Sequence, residues 1–191
     1  MEIKENTYEN ELKRIFICLT MPNNVVKEVS RVQEQLRNKL QFVGKTTEPE
    51  NLHLTLKFLG EINYETLEKV KEKLKNISFK SLNLKLGHVG AFSYKNMPRI
   101  IWIKVLGDAA KVQKQVDECL KDIFPIGERF MSHLTIARVK YLEDIRHAKD
   151  YLKHLRLPEI SWTENKIYLN ESVLKITGPV YAALEEYSAK D

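Results

Sequence analysis

Two of the five histidines in the chain sit in matching tetrapeptides, His53-Leu54-Thr55-Leu56 and His133-Leu134-Thr135-Ile136, 80 residues apart. Along a β-strand, residues i and i+2 face the same way. Each histidine therefore projects with its threonine, and each aliphatic pair projects oppositely. Chance alone would give two such tetrapeptides on the order of one time in a thousand. Imidazole titrates near neutrality, so one ring can be neutral while another is protonated. That is the requirement for paired general base and general acid work. A hydroxyl beside each ring can donate to a phosphate oxygen, and fixed donors stabilise the charge spread over a phosphoryl group in its transition state. Two imidazoles and two hydroxyls converging on one cleft would suit phosphoester chemistry.

Other chemistries fit less well. Neither histidine belongs to a His-x-x-x-His or Cys-x-x-Cys pattern, and no acidic residue lies within two positions of either, so the spacing does not suggest a metal site. No nucleophile elbow and no Gly-x-x-x-x-Gly-Lys loop is present. No cofactor is called for. The two cysteines, Cys18 and Cys119, can form neither a disulfide framework nor a four-cysteine zinc site. Lys57 shares the His53 face under strict alternation and would raise the potential of a cleft there. His88 reads as a loop or surface imidazole near a strand end. His147 and His154 read as a solvated helix face, being seven residues apart. Trp102 and Trp162 read as core. Tyr181 could border the cleft or close the edge of the core.

The elements that must position these groups follow from periodicity. Arg14–Thr20 and Leu52–Leu59 read as strands, the second ended by Gly60. Pro22 opens a helix with Val25, Val29, Val32, Leu36 and Leu40 on one stripe. Asn63 can cap a second helix carrying Leu67, Val70, Leu74 and Ile77. Leu82–Val89 and Arg99–Leu106 read as strands across a turn-rich segment, 90–98. Asp108 can cap a third helix with Val112, Val116, Leu120 and Ile123 inward. Met131–Val139 is a strand, followed by a helix with Leu142, Ile145, Ala148, Leu152 and Leu155 inward, halted before Pro158. Lys166–Leu169 and Val180–Leu184 are the last strands expected. The histidine strand and its following helix thus occur twice, which predicts two pseudo-equivalent lobes. Short, partly alternating strands interspersed with helices predict an α+β architecture with mostly antiparallel sheets.

Composition sets bounds on this reading. The 191 residues are 43% hydrophobic and 30% charged, an ordinary globular mixture that excludes a disordered chain. No apolar run is long enough to span a membrane, and the polar start shows no secretory leader. A cytoplasmic protein is expected. One bilobal domain over 1–191 is expected, with 1–12 as a flexible extension. The net charge of +5 and pI near 9.0 are compatible with a polyanionic partner without requiring one.

Beyond the tetrapeptides, the flanks carry a resemblance. The chain resembles the two-histidine (2H) phosphoesterases, and within them the bacterial and archaeal RNA 2′,3′-cyclic phosphodiesterases, also described as 2′-5′ RNA ligases. PENLHLTLKFLG, from Pro49 to Gly60, resembles the first family motif, and HLTIAR, ending at Arg138, resembles the second. Pro98-Arg99-Ile100-Ile101-Trp102 is similar to the central strand. Glu171-Ser172, Leu174, Gly178 and Tyr181 are similar to the C-terminal strands, so the likeness covers about residues 13–186. Family members often carry an aromatic and Pro before the second histidine; here Phe130 is kept but Ser132 precedes His133. The change bears on how the strand enters and is expected to leave the chemistry intact.

The resemblance implies a bilobal, pseudo-twofold fold with its site between the lobes. It implies metal-independent opening of a 2′,3′-cyclic phosphate, at an RNA end or on a nucleotide, to a 2′-phosphomonoester. His133 would be the base on water and His53 the acid on the 3′ oxygen, with Thr55 and Thr135 on the non-bridging oxygens. Arg138, five residues after His133, would bind phosphate, and Phe58, five after His53, would pack on the substrate. Strict alternation turns both away from the histidines; they reach the cleft only if each strand bulges, twists or ends. The same site could run the reverse ligation, or bind RNA ends with an idle pair. No obligate protein partner is expected, and a monomer is the simplest state.

Overall fold

The apolar run RIFICLT builds strand β1 (Lys13–Thr20), whose residues Ile15 to Leu19 are all buried. Pro22 then fixes the entry to helix α1 (Asn23–Leu40), which buries the expected valine and leucine stripe. The structure is a computed structural model and describes residues 12–176 and 178–190. Apart from Leu12, the N-terminal extension expected at 1–12 lies outside them.

A short edge strand, β2 (Phe42–Thr46), and a single 3-10 turn, Pro49–Asn51, lead into β3 (His53–Ile62). The remaining elements are α2 (Tyr64–Lys75), β4 (Leu82–Tyr94), β5 (Met97–Gly107), α3 (Ala109–Leu120), β6 (His133–Leu142), α4 (Ile145–His154), β7 (Ser161–Glu164), β8 (Lys166–Lys175) and β9 (Gly178–Ser188). They form two sheets, ordered β3-β1-β8-β9 and β2-β6-β5-β4-β7. Every strand pair is antiparallel. The fold is α+β, as the alternation predicts. No helix among the described residues is long and apolar enough to cross a membrane.

The helices cross between the halves. The helix following β1 packs on β6 of the second sheet, and the helix following β5 packs on β3 of the first. Strands β3 and β6 also touch each other. One face of each histidine strand is therefore covered by a helix from the opposite half. Leu54 and Leu56 are buried, as are Leu134 and Ile136, at 3% exposure or less.

Several boundaries differ from the sequence reading. Gly60 does not end β3: its φ of +80° lets the strand turn locally and run on to Ile62. The turn-rich segment 90–98 is mostly strand. Lys95 and Asn96 are both left-handed and close a two-residue hairpin between β4 and β5. Gly90 lies within β4, at a position where a Cβ would meet the Trp102 ring at 2.3 Å. Asn63 caps α2 by accepting from the Thr66 amide at 2.9 Å. Asp108 precedes α3 but does not cap it; its carboxylate accepts from the Asn83 amide at 3.0 Å and pairs with Lys111. Leu142 ends β6 instead of starting the fourth helix, which Asp144 caps. Strands β2 and β7 had no counterpart in the periodicity.

Candidate active site

Strands β3 and β6 deliver their side chains to one cleft of about 820 Å³. His53, Thr55, His133 and Thr135 all line it, together with Arg138 and Phe58. The expected residues are thus brought together, and the way the last two arrive is a matter of register. On β3, Cys18 of β1 faces Thr55 and the next pair is Ile17 with Lys57, so Leu56 bulges out of the ladder. On β6, Trp102 of β5 faces Thr135 and the next pair is Ile101 with Ala137, so Ile136 bulges. A bulge shifts the alternation by one residue. Phe58 and Arg138 then fall on the histidine side, exposed to the cleft.

The same shift corrects the expectation for Lys57. It does not share the His53 face. It turns behind β3, where it is buried against α3, forms an ion pair with Asp117, and donates to the Pro125 carbonyl at 2.8 Å. Asp117 also accepts from Gln113 and from the Gly127 amide.

Each imidazole is wired alike. His53 Nδ1 lies 2.7 Å from the Asn51 carbonyl, and His133 Nδ1 lies 2.6 Å from the Met131 carbonyl, both two residues upstream. A carbonyl only accepts, so in each neutral ring Nδ1 carries the hydrogen and Nε2 keeps the free lone pair. His53 is walled by Phe16 and Tyr181, with ring centroids at 4.9 and 5.0 Å. His133 meets Phe92 at 5.2 Å and Trp102 at 6.5 Å. Burial pushes the His53 pKa below its ordinary 6.5; the positive charges of Arg138 and His133 push the same way, against the Asn51 hydrogen bond.

Tyr181 borders the cleft, while Trp102 is buried behind His133. His88 lies within β4, exposed, with its ring beside Trp102. His147 and His154 are exposed on α4. Ser132 is buried, and its carbonyl accepts from the Val105 amide at 3.1 Å, which guides the chain into β6. The sequence reading missed Thr47, whose hydroxyl donates to the Thr135 carbonyl at 2.8 Å, and Gln33, whose amide bridges the carbonyls of Thr47 and of the bulged Ile136. It also missed Arg14, whose guanidinium lies 5.0 Å over the Phe58 ring. Neither Arg14 nor Arg138 has a side-chain hydrogen bond or ion pair among the described residues. Arg14 carries no motif; only the fold reveals it, by setting its guanidinium over Phe58 although its cross-strand neighbour is Glu61.

Paired sheets that present duplicated His-x-Thr strands to one cleft define a two-histidine phosphoesterase. Comparison with known proteins agrees: residues 19–102 match the family model described as LigT like Phosphoesterase. The chain is 33% identical to a Methanocaldococcus jannaschii protein named RNA 2′,3′-cyclic phosphodiesterase, over 91% of this chain and 99% of that one. An Aquifex aeolicus protein of the same name is 33% identical, over 84% of this chain and 91% of its own. The fold matches that of TT0787 from Thermus thermophilus, with a TM-score of 0.73 at 23% identity, covering 92% and 97% of the two chains. It also matches E. coli LigT complexed with 3′-AMP, with a TM-score of 0.72 at 17% identity, covering 95% and 100%. The chain belongs to the LigT-like phosphoesterase family of enzymes.

Proposed function

We propose that this protein hydrolyses 2′,3′-cyclic phosphates, at RNA ends or on nucleotides, to 2′-phosphomonoesters. One observation carries the reading: both histidines donate Nδ1–H to a backbone carbonyl, so each offers Nε2 to a single cleft that also holds two threonines and Arg138. The names of the relatives, RNA 2′,3′-cyclic phosphodiesterase, support the substrate class.

His133 Nε2 takes a proton from water as the water oxygen attacks phosphorus. The bond from phosphorus to the 3′ oxygen breaks, and His53 Nε2 gives its proton to that oxygen. The 2′ ester bond remains. Thr55, Thr135 and Arg138 hold the non-bridging oxygens, where charge accumulates. Phe58 packs on the nucleoside. In the free protein His53 is biased towards its neutral form. A phosphate anion beside Arg138 offsets that cation and so favours the protonated ring that must donate.

The test is incubation with a nucleoside 2′,3′-cyclic phosphate in excess EDTA, with identification of the product isomer. Clean 2′-phosphate is expected, with kcat lower by about 10²–10⁴-fold in His53→Ala and in His133→Ala. Activity surviving both substitutions, or a 3′-phosphate product, would overturn the assignment.

A further inference from the structure

Arg14 has no place in the hydrolysis scheme, yet it lines the same cleft. We infer that Arg14, stacked on Phe58, binds the 5′-phosphate of the nucleotide whose cyclic phosphate is opened. The inference rests on the proposed cyclic-phosphate reading of the cleft, and it makes an end joined to a 5′-phosphate the preferred substrate over a 5′-hydroxyl nucleoside.

The first support is symmetry. Phe58 and Arg138 occupy equivalent places, five residues past each histidine and just beyond each bulge. The second half supplies its guanidinium directly from that place. The first half supplies Phe58 there, and Arg14 from the neighbouring strand lays its guanidinium 5.0 Å over the ring. Each half therefore contributes one guanidinium to its side of the cleft.

The surrounding charges give the second support. Glu171, on the strand beside β1, is taken by Lys13 at 2.9 Å. Glu61 of β3 is the cross-strand neighbour of Arg14, but the two form no ion pair among the described residues. The guanidinium is thus held by an aromatic face and left without an anion. The ring contact leaves the guanidinium N–H groups without a hydrogen-bond acceptor among the described residues. Those are the donors that grip a phosphate bidentately.

Distance is the third. Phe58 lies three residues past Thr55 with Leu56 looped out, which leaves two strand steps, roughly 7 Å at the usual rise. That is about one nucleotide from the threonines assigned to the reacting phosphate. Both arginines act on the Tyr181 hydroxyl electrostatically, so they share one cleft.

The experiment compares adenosine 2′,3′-cyclic phosphate bearing a 5′-hydroxyl with the same compound bearing a 5′-phosphate, at fixed ionic strength, in wild type and Arg14→Gln. Wild type should favour the 5′-phosphate by about tenfold or more in kcat/KM, as a charge-assisted pair allows. The ratio should fall to near one in Arg14→Gln and recover in part in Arg14→Lys. A parallel calorimetric arm uses adenosine 2′-monophosphate with and without a 5′-phosphate, and expects the same Arg14-dependent ratio in Kd. Equal handling of the two compounds by wild type, or a preference that survives Arg14→Gln, overturns the inference. If neither cyclic phosphate is turned over, the hydrolysis reading falls and the calorimetric ratio alone decides this one. An Arg14-dependent preference there upholds the subsite, and its absence overturns it.

Discussion

At the scale of single residues, His53 and His133 share one wiring pattern, and their surroundings break the equivalence. His53 lies between Phe16 and Tyr181 and is depressed by burial first and by Arg138 and His133 next. If His53 is the acid, the free enzyme is active only below that lowered pKa. The limb of kcat/KM that falls with rising pH should then lie below 6.5, the ordinary imidazole value. Bound phosphate opposes the Arg138 charge, so the corresponding limb of kcat should lie at higher pH. Arg138→Gln removes one lowering charge, so it should raise the kcat/KM limb while reducing the rate by about 10²-fold, the usual loss of one charge-stabilising donor. Rate profiles across pH 5 to 9, with an NMR titration of the His53 ring, check both signs. A flat profile would remove the acid–base assignment.

At the scale of elements, the decisive features are the bulges at Leu56 and Ile136. Alternation made the faces of His53, Thr55 and their aliphatic neighbours legible, because the period is two and one face is buried. It failed beyond the bulge. A bulge is one unpaired residue with no composition of its own, so strict alternation puts Lys57 on the wrong face and turns Phe58 and Arg138 away from the cleft. Short edge strands escaped for a related reason: Phe42–Thr46 and Ser161–Glu164 bury too little to show a period. The bulges are braced from behind by helices of the opposite half. Gln33 holds the Ile136 carbonyl. Lys57 and Asp117 fasten the strand after the other bulge to α3 and to the segment leading towards His133. Removing one member strands the other as a buried charge. Lys57→Met should therefore cost about 3–5 kcal/mol, and Lys57→Met with Asp117→Leu should cost clearly less. Urea denaturation of both variants measures the difference; equal losses would mean that the pair braces nothing.

For the whole molecule, the crossing of α1 and α3 ties the two sheets into one object. Each histidine strand is backed by the other half's helix, so each half covers part of the other's core. The repeat spacing of 80 residues announced two similar units, yet no periodicity shows which helix covers which sheet, since amphipathic stripes do not name their partners. Interlocking has a measurable consequence. Both tryptophans, Trp102 and Trp162, lie in the five-stranded sheet, on β5 and β7. Cys18 is fully buried in β1 of the four-stranded sheet, where burial pushes its thiol up to about 12. Tryptophan fluorescence therefore reports one half, and pulse alkylation of Cys18 in a Cys119→Ser background reports the other. If the halves fold as one unit, the thiol should become reactive at the urea concentration where fluorescence changes, with one midpoint for both probes. Labelling of Cys18 well before the fluorescence transition would mean that the first sheet opens alone. The cleft would then be a seam between two separately stable parts, and its geometry would depend on docking rather than on folding.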